Sequence, residues 1–179
     1  QCLVGSEMCI RDRLNDEILP DTPEFDKFSK MLNFVMQELA KKIAKDGEGA
    51  TKLIECTVKN AFSIEAAETL SKSVVTSSLV KAAMFGSDAN WGRILCAMGY
   101  SGVTFNPEKV DIVLESEEGS LAIVKDGIAT DYSEEKATQI LSADPVKAIL
   151  DIHAGEEKAT AWGCDLTYEY VKINADYRS

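Results

Sequence analysis

Between residues 25 and 43 the apolar positions fall three and four apart: Phe25, Phe28, Leu32, Val35, Leu39 and Ile43. That spacing gathers them on one face of a long amphipathic helix and predicts that the face packs on a core. Thr22 before Pro23 supplies a capping hydroxyl and a proline at the first helical position, and Gly47 and Gly49 stop the helix. The period then changes. Residues 52–59, KLIECTVK, are short, β-branched and bounded by polar side chains, which predicts a strand. Helices are predicted over residues 63–73, from Ser77 or Ser78 to Met84, and over residues 91–98 after a loop at 86–90. Strands over 110–115 and 121–125 form a hairpin around Glu117, Glu118 and Gly119. Ser133 caps a helix running to Leu141, with Glu134 and Glu135 in its positive first turn. Strands over 146–153 and 158–164 join at Gly155, and Asp165 caps a closing helix over 166–173. Mixed strands and helices with several candidate hairpins predict an α+β layered sandwich rather than a doubly wound parallel sheet.

The first thirteen residues, QCLVGSEMCIRDR, have neither period. They resemble translated sequencing-adaptor read-through, the alternative being a genuine disordered tail. They are no secretory signal, because no basic start precedes an apolar stretch of useful length. The fold is therefore read from residues 14–179, as one domain without repeats or a low-complexity linker.

Charge narrows the function classes. The chain of 179 residues carries 30 acidic against 19 basic side chains, a formal net charge of -11. Such a surface repels phosphate backbones and has no basic stripe to offset it, which argues against nucleic-acid binding. No apolar run approaches the roughly 20 residues that span a bilayer. The five cysteines form no CxxC pair and lie beside no histidine cluster, so they read as small apolar residues of a reducing cytoplasm rather than as disulfides or metal ligands.

Four stretches carry candidate chemistry. In DGEGATK, residues 46–52, two glycines bracket Glu48 just past a helix, so the backbone can turn tightly there. A carboxylate at a helix C-terminus opposes the macrodipole, which makes Glu48 an awkward choice for stability alone. By the residues themselves, however, the pattern reads first as a glycine-rich helix stop with a solvated glutamate and only second as a ligand contact. The bond between Ala50 and Thr51 looks like a site for self-cleavage that would expose a nucleophilic threonine. Thr51 reads instead as the start of a strand. In GSDANWGR, residues 86–93, a loop entering a helix offers backbone amides to which Arg93 would add an anion contact, but the stretch reads first as structural, with Asn90 a cap or turn residue and Trp91 a packing residue. His153, the one histidine, reads as a surface or edge residue without a relay. At the other end, Asn174 and Ser179 offer an amide and a hydroxyl, groups that suit a zwitterionic amino acid.

These peptides, in this order, resemble the bifunctional ornithine acetyltransferase/N-acetylglutamate synthase family: DGEGATK, then FGSDANWGRILCAMGYSG, then ATAWGCDLTYEYVKINADYRS. The resemblance runs from about Leu14 to Ser179 and implies the C-terminal part of the family's β chain. It implies an acetyltransferase that moves acetyl between N-acetylornithine and glutamate through an acetyl-threonine. Its precursor cuts itself into α and β chains that assemble as an α2β2 heterotetramer in the cytoplasm. It implies no bound cofactor and no metal. Whether acetyl-CoA is also a substrate stays open. The family's cleavage site lies upstream of DGEGATK, so the nucleophilic threonine, the cleavage site and the oxyanion hole are expected outside this sequence. The sequence alone is then expected to be inactive. Carried over by motif, the substrate contacts are Glu48, Asn174 and Ser179. The rival reading is a non-enzymatic acidic α+β module that binds an amino acid or a partner subunit.

Overall fold

The computed structural model describes residues 17–176. They fall into two compact units, divided between Leu39 and Ala40. In the first, Thr22 donates from its hydroxyl to the Leu19 carbonyl (2.7 Å) and accepts from the Phe25 amide (3.2 Å). This starts helix α1, Pro23–Lys45, as expected of a capping threonine before proline. The helix ends with Lys42 and Lys45 on its negative end. The expectation that α1 packs one face on a core is corrected, because none of its residues is buried. Phe28, Leu32, Val35 and Leu39 stay exposed. The helical period reports that a face is apolar; it does not report what covers it.

The second unit is built on a six-stranded sheet, ordered β4-β3-β2-β5-β1-β6. Its strands are β1 Leu53–Ala61, β2 Asp111–Ser116, β3 Gly119–Lys125, β4 Ile128–Ala129, β5 Val146–Asp151 and β6 Glu157–Cys164. All neighbours are antiparallel except β1 and β5, which run parallel with Ile54 opposite Val146. The hairpin of β2 and β3 forms where the sequence places it. The pairing of 146–153 with 158–164 does not, since β1 lies between β5 and β6. Successive strand residues face opposite sides. Ile54, Cys56 and Val58 of β1, Ile112 and Leu114 of β2, and Ala148 and Leu150 of β5 are all buried.

Helices α2 Ile64–Thr76, α3 Ser78–Phe85, α4 Trp91–Gly99 and α5 Glu134–Leu141 complete the core. Helix α2 packs on β1 and β6, and α5 on β2 and β3. Ser63, Ser77, Asn90 and Ser133 each cap a helix through a side-chain oxygen that accepts a backbone amide. The fold is the expected mixed α and β arrangement. Of the three cysteines described, Cys56 is buried and its thiol is pushed above its ordinary value by that burial, Cys164 is half-buried, and Cys96 is exposed. The reading of cysteines as core residues therefore holds fully for Cys56 alone.

Where β5 ends, His153 turns off at φ 46° and sits between two carboxylates. Its Nε2 lies 3.0 Å from Asp111 Oδ2, and its backbone amide donates to Asp151 Oδ1 (3.1 Å). Asp111 also accepts from Lys125 and from the Asp126 amide (2.8 Å). Asn60 and Lys59 hold Asp151. This histidine is a surface residue with acidic partners, and the hydrogen bonds use it as a structural tie. Burial works to raise the Asp111 carboxyl, but the bonds from Lys125, the Asp126 amide and His153 outweigh it and hold the group down at about 2. Asp151 is lowered too, with burial opposed by Asn60, the His153 amide and Lys59. A folded value below the unfolded one gives stability that is present above about pH 4 and is lost as pH falls toward about 2. Asp111→Asn is expected to flatten this acid limb in urea unfolding midpoints measured between those values; an unchanged slope would refute it.

Candidate substrate-binding site

The two peptides singled out at opposite ends of the sequence meet in the structure. After α1, the Ala50 amide bonds back to the Gly47 carbonyl (2.9 Å), closing a turn with Glu48 at its tip. Gly49 completes it at φ 67°, a conformation most side chains avoid. A Cβ at Gly49 would also lie 2.8 Å from the Tyr170 amide nitrogen, so the turn sits directly against the last helix. At Gly47 the corresponding position is filled by the Cys164 sulfur.

That last helix, α6, is Tyr168–Asp176. It begins two residues later than the sequence suggested, and its cap is corrected from Asp165 to Thr167. The Thr167 hydroxyl accepts from the Tyr170 amide (3.2 Å) and donates to the Gly49 carbonyl (2.7 Å). Asp165 serves elsewhere. Its buried carboxylate accepts from the amides of Thr51 (2.8 Å) and Lys52 (3.1 Å) and from the Thr51 hydroxyl. A carboxylate with three donors 113 or 114 positions away has left its own helix end for the entrance of β1. Thr51 accordingly lies just before β1, which starts at Leu53, with its hydroxyl engaged.

Glu48 and Asn174 are brought together by these anchors. Asn174 Nδ2 donates to Glu48 Oε2 at 2.7 Å and to the Tyr170 carbonyl at 2.9 Å. Both side chains are exposed. Both N–H groups of the amide are thereby used, while Glu48 Oε1 and Asn174 Oδ1 have no hydrogen-bond partner among the described residues. An uncommitted carboxylate oxygen and an uncommitted amide oxygen on two side chains in contact are acceptors that suit an ammonium donor. Ser179 lies outside the described residues.

Sequence reasoning missed Lys52. Its ammonium donates to the carbonyls of Leu141 (2.7 Å) and Met84 (2.8 Å) and to the Ser87 hydroxyl (3.0 Å). It thus closes the C-terminal ends of α5 and α3, where unpaired carbonyls carry the negative helix pole. Desolvation lowers its basicity below the ordinary lysine value, opposed by the charges of Asp165 and Asp144. Asp144 in turn accepts from the Leu53 amide (2.9 Å) and pairs with Lys45 (2.7 Å). The bonds from Lys45 and Leu53 and the charge of Lys52 overcome burial and lower its carboxyl. No local pattern signals such a lysine, since its partners come from three separate elements.

The same contacts give GSDANWGR a structural use. Ser87 receives Lys52, Asn90 caps α4 by accepting from the Arg93 amide (3.2 Å), and Trp91 packs against the core. Arg93 donates one guanidinium N–H to the Leu79 carbonyl (3.0 Å). Among the described residues, no group of three or more His, Cys, Asp or Glu side chains is placed to hold a metal ion. No described helix is long and apolar enough to cross a membrane.

The profile of the ArgJ family matches residues 7–179. The chain belongs to the ArgJ family. Among its relatives, the arginine biosynthesis bifunctional protein ArgJ of Streptococcus thermophilus is 59% identical over 177 residues, covering 99% of this chain and 43% of that protein. The ArgJ protein of Streptococcus mutans is 58% identical, over 93% of this chain and 41% of that protein. The chain thus spans less than half the length of these ArgJ relatives. The crystal structure of ArgJ from Bacillus halodurans superposes with a TM-score of 0.85 at 48% identity, covering 91% of this chain and 75% of that one.

Proposed function

We propose that this chain forms the substrate-binding part of an acetyltransferase of arginine biosynthesis, one that moves an acetyl group from N-acetylornithine to glutamate. The acetyl group travels by way of a threonine ester: a threonine hydroxyl supplied by another part of the protein attacks the acetyl carbonyl, ornithine leaves, and the glutamate amine then takes the acetyl group. Membership of the ArgJ family supports the reaction class, and the Glu48–Asn174 contact is the observation that carries the assignment of the site. A carboxylate held beside a carboxamide at an exposed turn is the complement of an ornithine ammonium group. In this reading Asn174 orients Glu48 and adds its Oδ1 to the same ammonium, and Ser179 contributes a hydroxyl. In this reading the chain by itself does not turn over, because the attacking threonine belongs to another part of the protein. It works in the cytoplasm in a heterotetramer with the α chain of the same precursor, without a bound cofactor. Acetyl-CoA enters, where it is used, only as a substrate.

The test is Glu48→Ala in the intact protein that carries this sequence. One charge-assisted hydrogen bond lost from substrate binding is expected to raise KM for N-acetylornithine about tenfold. Self-cleavage, read as two bands on a denaturing gel, is expected to proceed as before. A KM equal to that of the parent protein would remove Glu48 from the site.

A further inference from the structure

We propose that Thr167 is a positioning residue for the ammonium-binding carboxylate: its one hydroxyl fixes both sides of the Glu48–Asn174 contact without touching substrate. This rests on the reading of Glu48 as the ammonium-binding group. Thr167 is 4% exposed, and both sides of its hydroxyl are engaged. The proton goes to the carbonyl of Gly49, the residue immediately after Glu48. The lone pair receives the amide of Tyr170, whose own carbonyl takes the second N–H of Asn174. An N-cap needs only the accepting half of this arrangement. The donating half reaches 118 positions back along the chain and is superfluous to the helix.

The turn has no slack to absorb the loss of that bond. Gly49 abuts the first turn of α6 so closely that an added Cβ would lie 2.8 Å from the Tyr170 nitrogen and 3.1 Å from Glu169. A shift of the Gly49 carbonyl therefore moves the Glu48 backbone relative to Asn174. Asp165 clamps Thr51 and Lys52, just beyond Ala50, so the displacement concentrates on the segment between Gly47 and Ala50. Thr167 consequently acts on substrate affinity through Glu48, and on the chemical step hardly at all.

The experiment is a double-mutant cycle in the intact protein, with KM and kcat for N-acetylornithine as readouts. Thr167→Val keeps the shape and removes the hydroxyl. It is expected to raise KM about three- to tenfold, as loss of one neutral hydrogen bond would, with kcat within about twofold. Thr167→Ser restores the hydroxyl and KM with it. In a Glu48→Ala background, Thr167→Val is expected to change KM by less than about twofold, because residues acting through one another are not additive. Gly49→Ala disturbs the same turn from the other side with the hydroxyl intact and is expected to raise KM likewise, which keeps the test decisive if Thr167→Val does not fold. A rise in KM on Glu48→Ala with none on Thr167→Val overturns this proposal alone. So does an equal rise from Thr167→Val with and without Glu48, or a Thr167→Ser variant as impaired as the valine. No change on Glu48→Ala removes the reading on which the proposal rests.

Discussion

Lys52→Met is expected to lower the stability of the chain by about 2 to 4 kcal/mol in urea unfolding, the sum of several charge-assisted bonds less the relief of desolvation. Methionine retains most of the apolar stem, so the loss isolates the ammonium. Two opposing effects set the size. Burial disfavours the charged lysine, which is why its basicity is lowered. Against this stand close bonds to Met84, Leu141 and Ser87; on removal the Leu141 carbonyl and the Ser87 hydroxyl lose the ammonium, while the Met84 carbonyl keeps the Ser87 amide (3.2 Å). An orphaned carbonyl costs about 1 to 3 kcal/mol and each lost charge-assisted bond about 1.5 to 3, so the bonds outweigh the desolvation. A midpoint for Lys52→Met equal to that of the parent chain would show that water replaces the ammonium freely at both helix ends.

Gly155→Ala is expected to cost at least about 3 kcal/mol, the scale of a forced overlap in a packed site. Gly155 faces the end of β1 so closely that a methyl group would fall on the Ala61 carbonyl and within 2.9 Å of Phe62 Cα. Those are backbone atoms and cannot rotate away. Relief requires the link between β5 and β6 to lift, breaking the bond from the Ala154 amide to the Asn60 carbonyl (2.7 Å). Differential scanning calorimetry of the variant reads the effect directly, and a transition within 2 °C of the parent would contradict it, since about 1 kcal/mol shifts a domain of this size by ~2–4 °C.

The parts of the fold that were legible in the sequence share a physical trait. The caps at Ser63, Ser77, Asn90 and Ser133 each bond an amide within a few positions, so the pattern and the partner lie in one stretch of chain. The hairpin of β2 and β3 is local in the same sense. Asp165 looked like a cap because it precedes a helical stretch, yet it is outcompeted at α6 by Thr167 and finds stronger demand at Thr51 and Lys52. Strand order was hidden for a similar reason: β1 inserts between β5 and β6 from almost a hundred residues upstream, and alternation within a strand does not encode its neighbours. For the candidate site, residue chemistry alone offered Glu48 only as a carboxylate between glycines and Asn174 as one of several polar residues near the end. Motif resemblance selected them, and the structure brings their side chains to 2.7 Å.

The turn that presents Glu48 is held by bonds spanning 114, 118 and 126 positions. Contacts that distant in sequence close late, after their loop entropy has been met by the sheet between them. During synthesis, a chain halted anywhere before Asp165 emerges has the residues of DGEGATK but not their arrangement. The shape of that turn is written more than a hundred residues downstream of the turn itself.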